Sequence, residues 1–195
     1  MLISGGGSNL KALLEAAAAH DYPAKVVAVC SDTDAPGLGY ARQAGIPAFV
    51  VRPADFSSRE EWGQALAETV RSALADDNEP SLVVSAGLMR VLPPAVVREF
   101  TPHLINTHPA LLPLYPGAHA VRDAIAAGAT ETGVTVHIID EGVDTGPVLR
   151  QRSVVIREGE LEADLHERIK EIERPLLVET VRDIATGALD LHQYS

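Results

Sequence analysis

LINTHPALLPLYPGAHA, Leu104 to Ala120, begins as one kind of structure and ends as another. Leu104 to His108 is an apolar, β-branched run that reads as a strand. Pro109, Pro113, Pro116 and Gly117 then restrict the backbone of the loop that follows. His119 to Ala127 resumes with a helical pattern. Asn106 and His108 stand two residues apart at the strand's end, so their side chains share one face. A strand that releases into a stiff loop and then a helix, with polar groups at its carboxyl end, is the unit of an α/β fold.

Working outward, the same unit recurs. Lys25–Ser31, Ala48–Val51, Ser81–Ala86 and Val134–Asp140 read as strands, and a short first strand ends at Ile3. Helical patterns lie between them over Asn9–His20, Leu38–Ala44, Ser58–Ala75 and Pro94–Phe100. Val148–Ile156 reads as a further strand, Glu160–Ala185 as a long helix interrupted or kinked at Pro175, and Ala188–His192 as a last short strand. The alternation predicts a single domain over 1–195. Its class is α/β, an open, mainly parallel, Rossmann-like twisted sheet with helices on both faces. Ligands of such sheets bind beyond the carboxyl ends of the strands. The glycine loop after Ile3, Met89-Arg90, Asn106/His108 and Asp144 all fall at such ends, so they are expected on one rim.

Composition narrows the class of function. The chain has 195 residues, 46% hydrophobic and 22% charged, which suits a globular protein with a sizeable core. No apolar run reaches the roughly 20 residues of a membrane span, and MLISGGGSNL has neither the basic nor the long apolar segment of a signal peptide. Cys30 is the single cysteine, so no internal disulfide and no cysteine-based zinc site is expected; a reducing cytoplasm fits both. The net charge is -11 without a Lys/Arg cluster, which argues against a nucleic-acid partner. A small anion is still compatible, because backbone N–H groups hold phosphate without net positive charge.

The loop Gly5-Gly6-Gly7-Ser8-Asn9 opens a helix, where free N–H groups face outward. It is not a Walker A loop, because no Gly-Lys-Ser/Thr follows, and Leu10 takes the place of the third glycine of G-x-G-x-x-G. A tight turn with Ser8 or Asn9 as cap explains it equally well. Asn106 and His108 together can donate hydrogen bonds to a developing oxyanion, and the imidazole can move a proton. Their alternative is a strand-end Asn tying the loop beside a satisfied His. Asp144, in Glu141-Gly142-Val143-Asp144-Thr145-Gly146-Pro147, can orient an imidazole and favour its cation, or simply cap its own loop as an Asx-turn. His20, His103, His119, His137, His166 and His192 show no metal-ligand spacing, and His137 reads as a core or supporting residue. No G-x-S-x-G elbow is present.

LISGGGSNL (Leu2–Leu10), SAGLMRVL (Ser85–Leu92), LINTHPALLPLYPGAHA (Leu104–Ala120) and GVTVHIIDEGVDTGPVL (Gly133–Leu149) resemble, in this order, the phosphoribosylglycinamide formyltransferase family. The resemblance runs from Leu2 to about Glu173. It implies the formyltransferase fold and transfer of a formyl group from 10-formyltetrahydrofolate, as cosubstrate and without metal, to glycinamide ribonucleotide in purine biosynthesis. Gly7, Ser8 and Asn9 would then hold the phosphate and Glu173 the ribose or glycinamide end. Arg59, Met89, Arg90, Val91, Leu92 and Asn106 would bind the folate, and the loop Asp140–Asp144 would cover its pterin. Asn106, His108 and Asp144 would be catalytic, and the bond before Pro113 would be cis. The implied partners are these small molecules, with no nucleic acid or membrane, in a cytoplasmic monomer or homodimer. Hydrolysis of the same formyl donor, and a non-catalytic nucleotide-binding α/β module, are the alternatives. Relatives with an added tRNA-related C-terminal domain or N-terminal regulatory domain are expected to be longer than this chain. The chain departs from the family pattern at its short first strand, at Leu88, where an aromatic residue is usual, and at Arg174-Pro175 after Glu173.

Overall fold

The computed structural model describes residues 1–75 and 80–194; residues 76–79 and 195 of the expected 1–195 domain lie outside the described residues. Five strands run parallel: β1 (Leu2–Ile3), β2 (Val29–Ser31), β3 (Ala48–Val50), β4 (Val83–Ser85) and β5 (Leu104–His108). β6 (Glu131–Ile138) and β7 (Val148–Val155) continue the sheet antiparallel. The seven strands lie in the order β3-β2-β1-β4-β5-β6-β7. From β1 the chain builds outward to β2 and β3, then returns to β4 on the other side of β1. The order therefore reverses between β1 and β4, and the crevice that opens at such a reversal is where α/β sheets bind ligands.

Period-2 alternation sends neighbouring side chains to opposite faces. Val84 and Ile105 join one core with Leu165, Ile169 and Leu177 of the long helix α6 (Glu162–Ala185) and Leu13 of α1 (Ser8–Ala17). Val83 and Leu104 join the other, with Trp62, Leu66 and Val70 of α3 (Arg59–Leu74) and Val96 of α4 (Pro94–Phe100). Strands covered on both faces are rich in apolar residues, and β4 and β5 carry theirs at Val83, Val84, Leu104 and Ile105 before their polar ends. α2 (Leu38–Gln43) packs Leu38 and Ala41 against Ile3, Leu10 and Val29. α5 (Ala120–Ala126) follows the stiff loop.

Local chemistry sets several element ends. Ser58 caps α3 by accepting from the Glu61 N–H at 3.1 Å, while the Glu61 carboxylate accepts from the Ser57 N–H at 3.1 Å and hydroxyl at 2.8 Å. α6 runs through Pro175 without interruption. Proline removes an i→i−4 bond there, and the preceding Arg174 guanidinium donates to the Lys170 carbonyl at 2.8 Å. Ala188–His192 is not a strand. Gly187 (φ 74) turns the chain away from α6, and Asp190 Oδ1 accepts the His192 N–H at 3.0 Å, which starts a 3₁₀ turn over Leu191–Tyr194. The expected strands Lys25–Ser31 and Ser81–Ala86 shorten to β2 and β4, whereas Val134–Asp140 moves back to Glu131–Ile138.

Candidate active site

A cleft of about 760 Å³ lies at the carboxyl ends of β1, β4 and β5. Gly7, Ser8, Asn9, Met89, Arg90, Val91, Leu92, Asn106, His108, Asp144 and Glu173 all line it. Arg59 does not. It lines an adjoining cleft of about 530 Å³, which shares Met89, Arg90 and Val91. There its guanidinium donates to the Val91 and Leu92 carbonyls, both at 3.0 Å, and so shapes the segment expected to hold folate. Arg90 is fixed in turn by its Nε donating to Asp32 at 2.5 Å.

Gly7 is the N-cap of α1, with φ 71, and no side chain caps the helix. The first-turn N–H groups of α1 are thus not taken up by a side-chain cap at the cleft wall. A Cβ on Gly7 would lie 2.9 Å from Gly37 Cα, so this glycine is required by the fold itself. Gly5 and Gly6 would present a Cβ to open space. Asn9 is buried, and its Oδ1 has no hydrogen-bond partner among the described residues. Ser4 ties this loop to the segment that follows β4. Its N–H donates to the Gly87 carbonyl at 3.0 Å, and its Oγ accepts the Met89 N–H at 2.9 Å.

Asn106, His108 and Asp144 meet in the middle of the cleft. His108 Nδ1 is 3.3 Å from Asp144 Oδ2, and His108 Nε2 is 2.8 Å from the Tyr115 carbonyl. Both ring nitrogens face acceptors, so both N–H groups of the cationic ring have a place to go. Tyr115 has φ 53, a left-handed conformation uncommon for this residue type. The loop that carries it is clamped from beneath. The buried Thr135 hydroxyl donates to the Ala110 carbonyl at 2.7 Å and accepts the Leu112 N–H at 3.0 Å and the Gln151 amide at 2.8 Å. The Leu112–Pro113 bond is cis, as is Thr101–Pro102.

Asp144 does not reach the site along a parallel strand. β6 is antiparallel, and Ile138 near its carboxyl end pairs with Ile105 rather than with His108. The loop after β6 folds back over the sheet instead. An added Cβ on Gly146 would sit 1.9 Å from the Ile138 carbonyl oxygen, so only glycine allows that return. Asp140, not Asp144, makes the Asx-turn: its Oδ1 accepts the Gly142 N–H at 3.0 Å and the Thr145 hydroxyl at 2.7 Å. Asp144, with φ 55, is left free to accept the Gly117 N–H at 2.8 Å. Burial pushes its carboxyl up. The His137 ring 3.6 Å away, the Gly117 N–H that the carboxylate accepts and the neighbouring His108 ring outweigh burial and hold it below its ordinary 3.8.

Two features of the cleft go beyond the residues that the motifs single out. His137 is 2% exposed, yet it lines the cleft within 3.2 Å of Asn106 and 3.6 Å of Asp144. Its place follows from the β5–β6 register, which a single strand pattern does not reveal. His166, Lys170 and Arg174 of α6 also line the cleft beside Glu173. Their spacing of about one helical turn puts them on one face, a signal available in the sequence.

Sequence comparison places this fold and cleft among the transferases. Residues 1–181 match the model of the family described as formyl transferase, and the chain belongs to that family. It is 49% identical over 186 residues to phosphoribosylglycinamide formyltransferase of Mycobacterium tuberculosis, across 95% of this chain and 84% of that protein. It is 38% identical over 194 residues to the Escherichia coli protein of the same name, across 99% and 89%. The crystal structure of glycinamide ribonucleotide transformylase 1 from Symbiobacterium toebii superposes with a TM-score of 0.89 at 38% identity, over 95% of this chain and 86% of that one. The family resemblance carried by the sequence motifs is thereby borne out.

Proposed function

We propose that this chain transfers the formyl group of 10-formyltetrahydrofolate to the primary amine of glycinamide ribonucleotide, giving formylglycinamide ribonucleotide and tetrahydrofolate. The observation that carries the reading is the meeting, in one cleft, of an uncapped glycine loop, the 89–92 segment and the Asn106–His108–Asp144 cluster. Gly7, Ser8 and Asn9 would hold the phosphate through backbone N–H groups and Glu173 the ribose or glycinamide end. Met89 to Leu92 and Arg59 would take the folate, whose pterin would lie under the loop 140–144.

The amine lone pair attacks the formyl carbon, and the carbonyl electron pair moves onto oxygen. Asn106 Nδ2–H and a ring N–H of His108 stabilise that oxyanion; one such donor contributes about 2.7–4 kcal/mol. For His108 to donate, it exchanges the Tyr115 carbonyl for the oxyanion, while Asp144 keeps the charged ring oriented. The amine then loses a proton and the folate nitrogen gains one, through His108 or a water held by Asp144. The C–N bond to folate breaks as the carbonyl reforms. The scheme uses amide, imidazole and carboxylate groups only. With it goes a cytoplasmic monomer or homodimer whose partners are small molecules.

Carbon-13 placed in the formyl group of the donor tests the reading. The label should appear in a formylated ribonucleotide, read by mass. Label recovered as formate while the ribonucleotide stays unmodified would establish hydrolysis instead.

A further inference from the structure

We infer that His137 is a positioning residue that fixes the amide orientation of Asn106, so that a carboxamide N–H faces the reacting formyl oxygen; this rests on the function proposed above. His137 stands directly opposite Asn106 in the β5–β6 ladder. The β6–β7 register slips between Val136 and His137, an irregularity of the kind that re-aims a side chain near a functional site. His137 Nδ1 is 2.9 Å from the Ile138 carbonyl oxygen. A carbonyl only accepts, so Nδ1 carries the hydrogen, and the neutral ring keeps its lone pair on Nε2. Nε2 lies 3.2 Å from Asn106 Nδ2. A lone pair at that point selects the amide nitrogen over the amide oxygen, because the reversed carboxamide would set oxygen against nitrogen lone pair. One Asn106 N–H is then spent on His137 and the second remains for substrate.

The remaining groups around the ring are consistent with this division of labour. Asp144 Oδ1 is 3.6 Å from Nε2, beyond hydrogen-bond length, while the other carboxylate oxygen faces His108 at 3.3 Å and Gly117 N–H at 2.8 Å. A protonated His137 would turn an Nε2–H toward Asp144 and leave Asn106 without its acceptor. The neutral ring is therefore the form that positions Asn106. His137 is 2% exposed, so solvent offers no substitute acceptor.

His137→Phe keeps the ring and removes both nitrogens, and His137→Gln returns an acceptor. His137→Phe should lower kcat about 10–100-fold, with KM for each substrate changed little, and His137→Gln should recover most of the loss. In an Asn106→Ala background, His137→Phe should lose almost nothing further. Nitrogen-15 NMR of the Asn106 side-chain amide gives a readout without turnover: its resonance should move in His137→Phe and return in His137→Gln. A full additional loss in the Asn106→Ala background, or an amide resonance indifferent to His137→Phe, would overturn the inference. If His137→Phe fails to fold, His137→Gln decides. Near wild-type kcat with the wild-type amide resonance supports positioning, and a loss as large as that of Asn106→Ala overturns it. A wild-type protein that transfers no formyl group would count against the proposed function, while the amide resonance would still decide the role of His137.

Discussion

At the residue scale, the proposed mechanism divides the work among Asn106, His108 and Asp144. Replacing Asn106 or His108 with Ala should lower kcat by about two to four orders of magnitude with the melting temperature nearly kept. Steady-state kinetics beside thermal unfolding checks this, and near wild-type turnover in either variant would remove that residue from the mechanism. Asp144 makes a separate prediction through linkage. Its folded carboxyl lies below its ordinary 3.8, so its ionised form contributes stability that is present above that value and lost as pH falls through the lower folded one. Asp144→Asn should therefore be less stable than wild type at pH 7, and the gap should close in strong acid. Unfolding at several pH values measures it; a gap independent of pH would contradict the assignment. Asp144 was legible in the sequence as a carboxylate in a constrained loop, but its alternative role as an Asx-turn belongs in the structure to Asp140. His137 was legible only as a core or supporting residue with a face toward the site; its partner Asn106 is set by an antiparallel register that depends on contacts distant in sequence.

The glycine loop and its neighbours act as elements. Gly7 meets Gly37 backbone, whereas Gly6 faces open space. Gly7→Ala should destabilise the fold and weaken both ligands together. Gly6→Ala should fold normally and weaken glycinamide ribonucleotide much more than folate, since only ligand approach is blocked. Separate titrations of the two ligands distinguish these outcomes, and equal losses in Gly6→Ala would remove the phosphate role from the loop. Ser4→Ala deletes the acceptor for the Met89 N–H. A lost hydrogen bond of about 1 kcal/mol predicts a roughly fivefold rise in the folate KM, with the ribonucleotide KM kept. Elements with strong period or punctuation were legible: β5 from its apolar run, α3 from Ser58 and Glu61. The strand expected at Ala188–His192 was not formed, because Asp190 competes for the backbone locally and Gly187 redirects the chain. An interruption at Pro175 does not occur: α6 continues through it with Leu176 and Leu177 buried.

The whole molecule places the two loops proposed to bind the ligands, after β1 and after β4, on opposite sides of one reversal in strand order. The parallel part of that order was legible from alternating strands and helices. The antiparallel β6–β7 edge was not, because hydrophobic runs carry no direction. Ser4 spans the reversal, so the proposed acceptor and donor sides are built on adjoining strands. Such an arrangement can use the binding of a remote phosphate to align the amine with the formyl carbon, and alignment contributes up to about 7–11 kcal/mol in ideal cases. The most direct test is the rate of tetrahydrofolate release from 10-formyltetrahydrofolate with no acceptor, with glycinamide lacking the ribose phosphate, and with glycinamide ribonucleotide. Release should be slow in the first two conditions and rise by orders of magnitude in the third. Fast release in water alone, unaffected by the ribonucleotide, would contradict transfer as the function of this cleft.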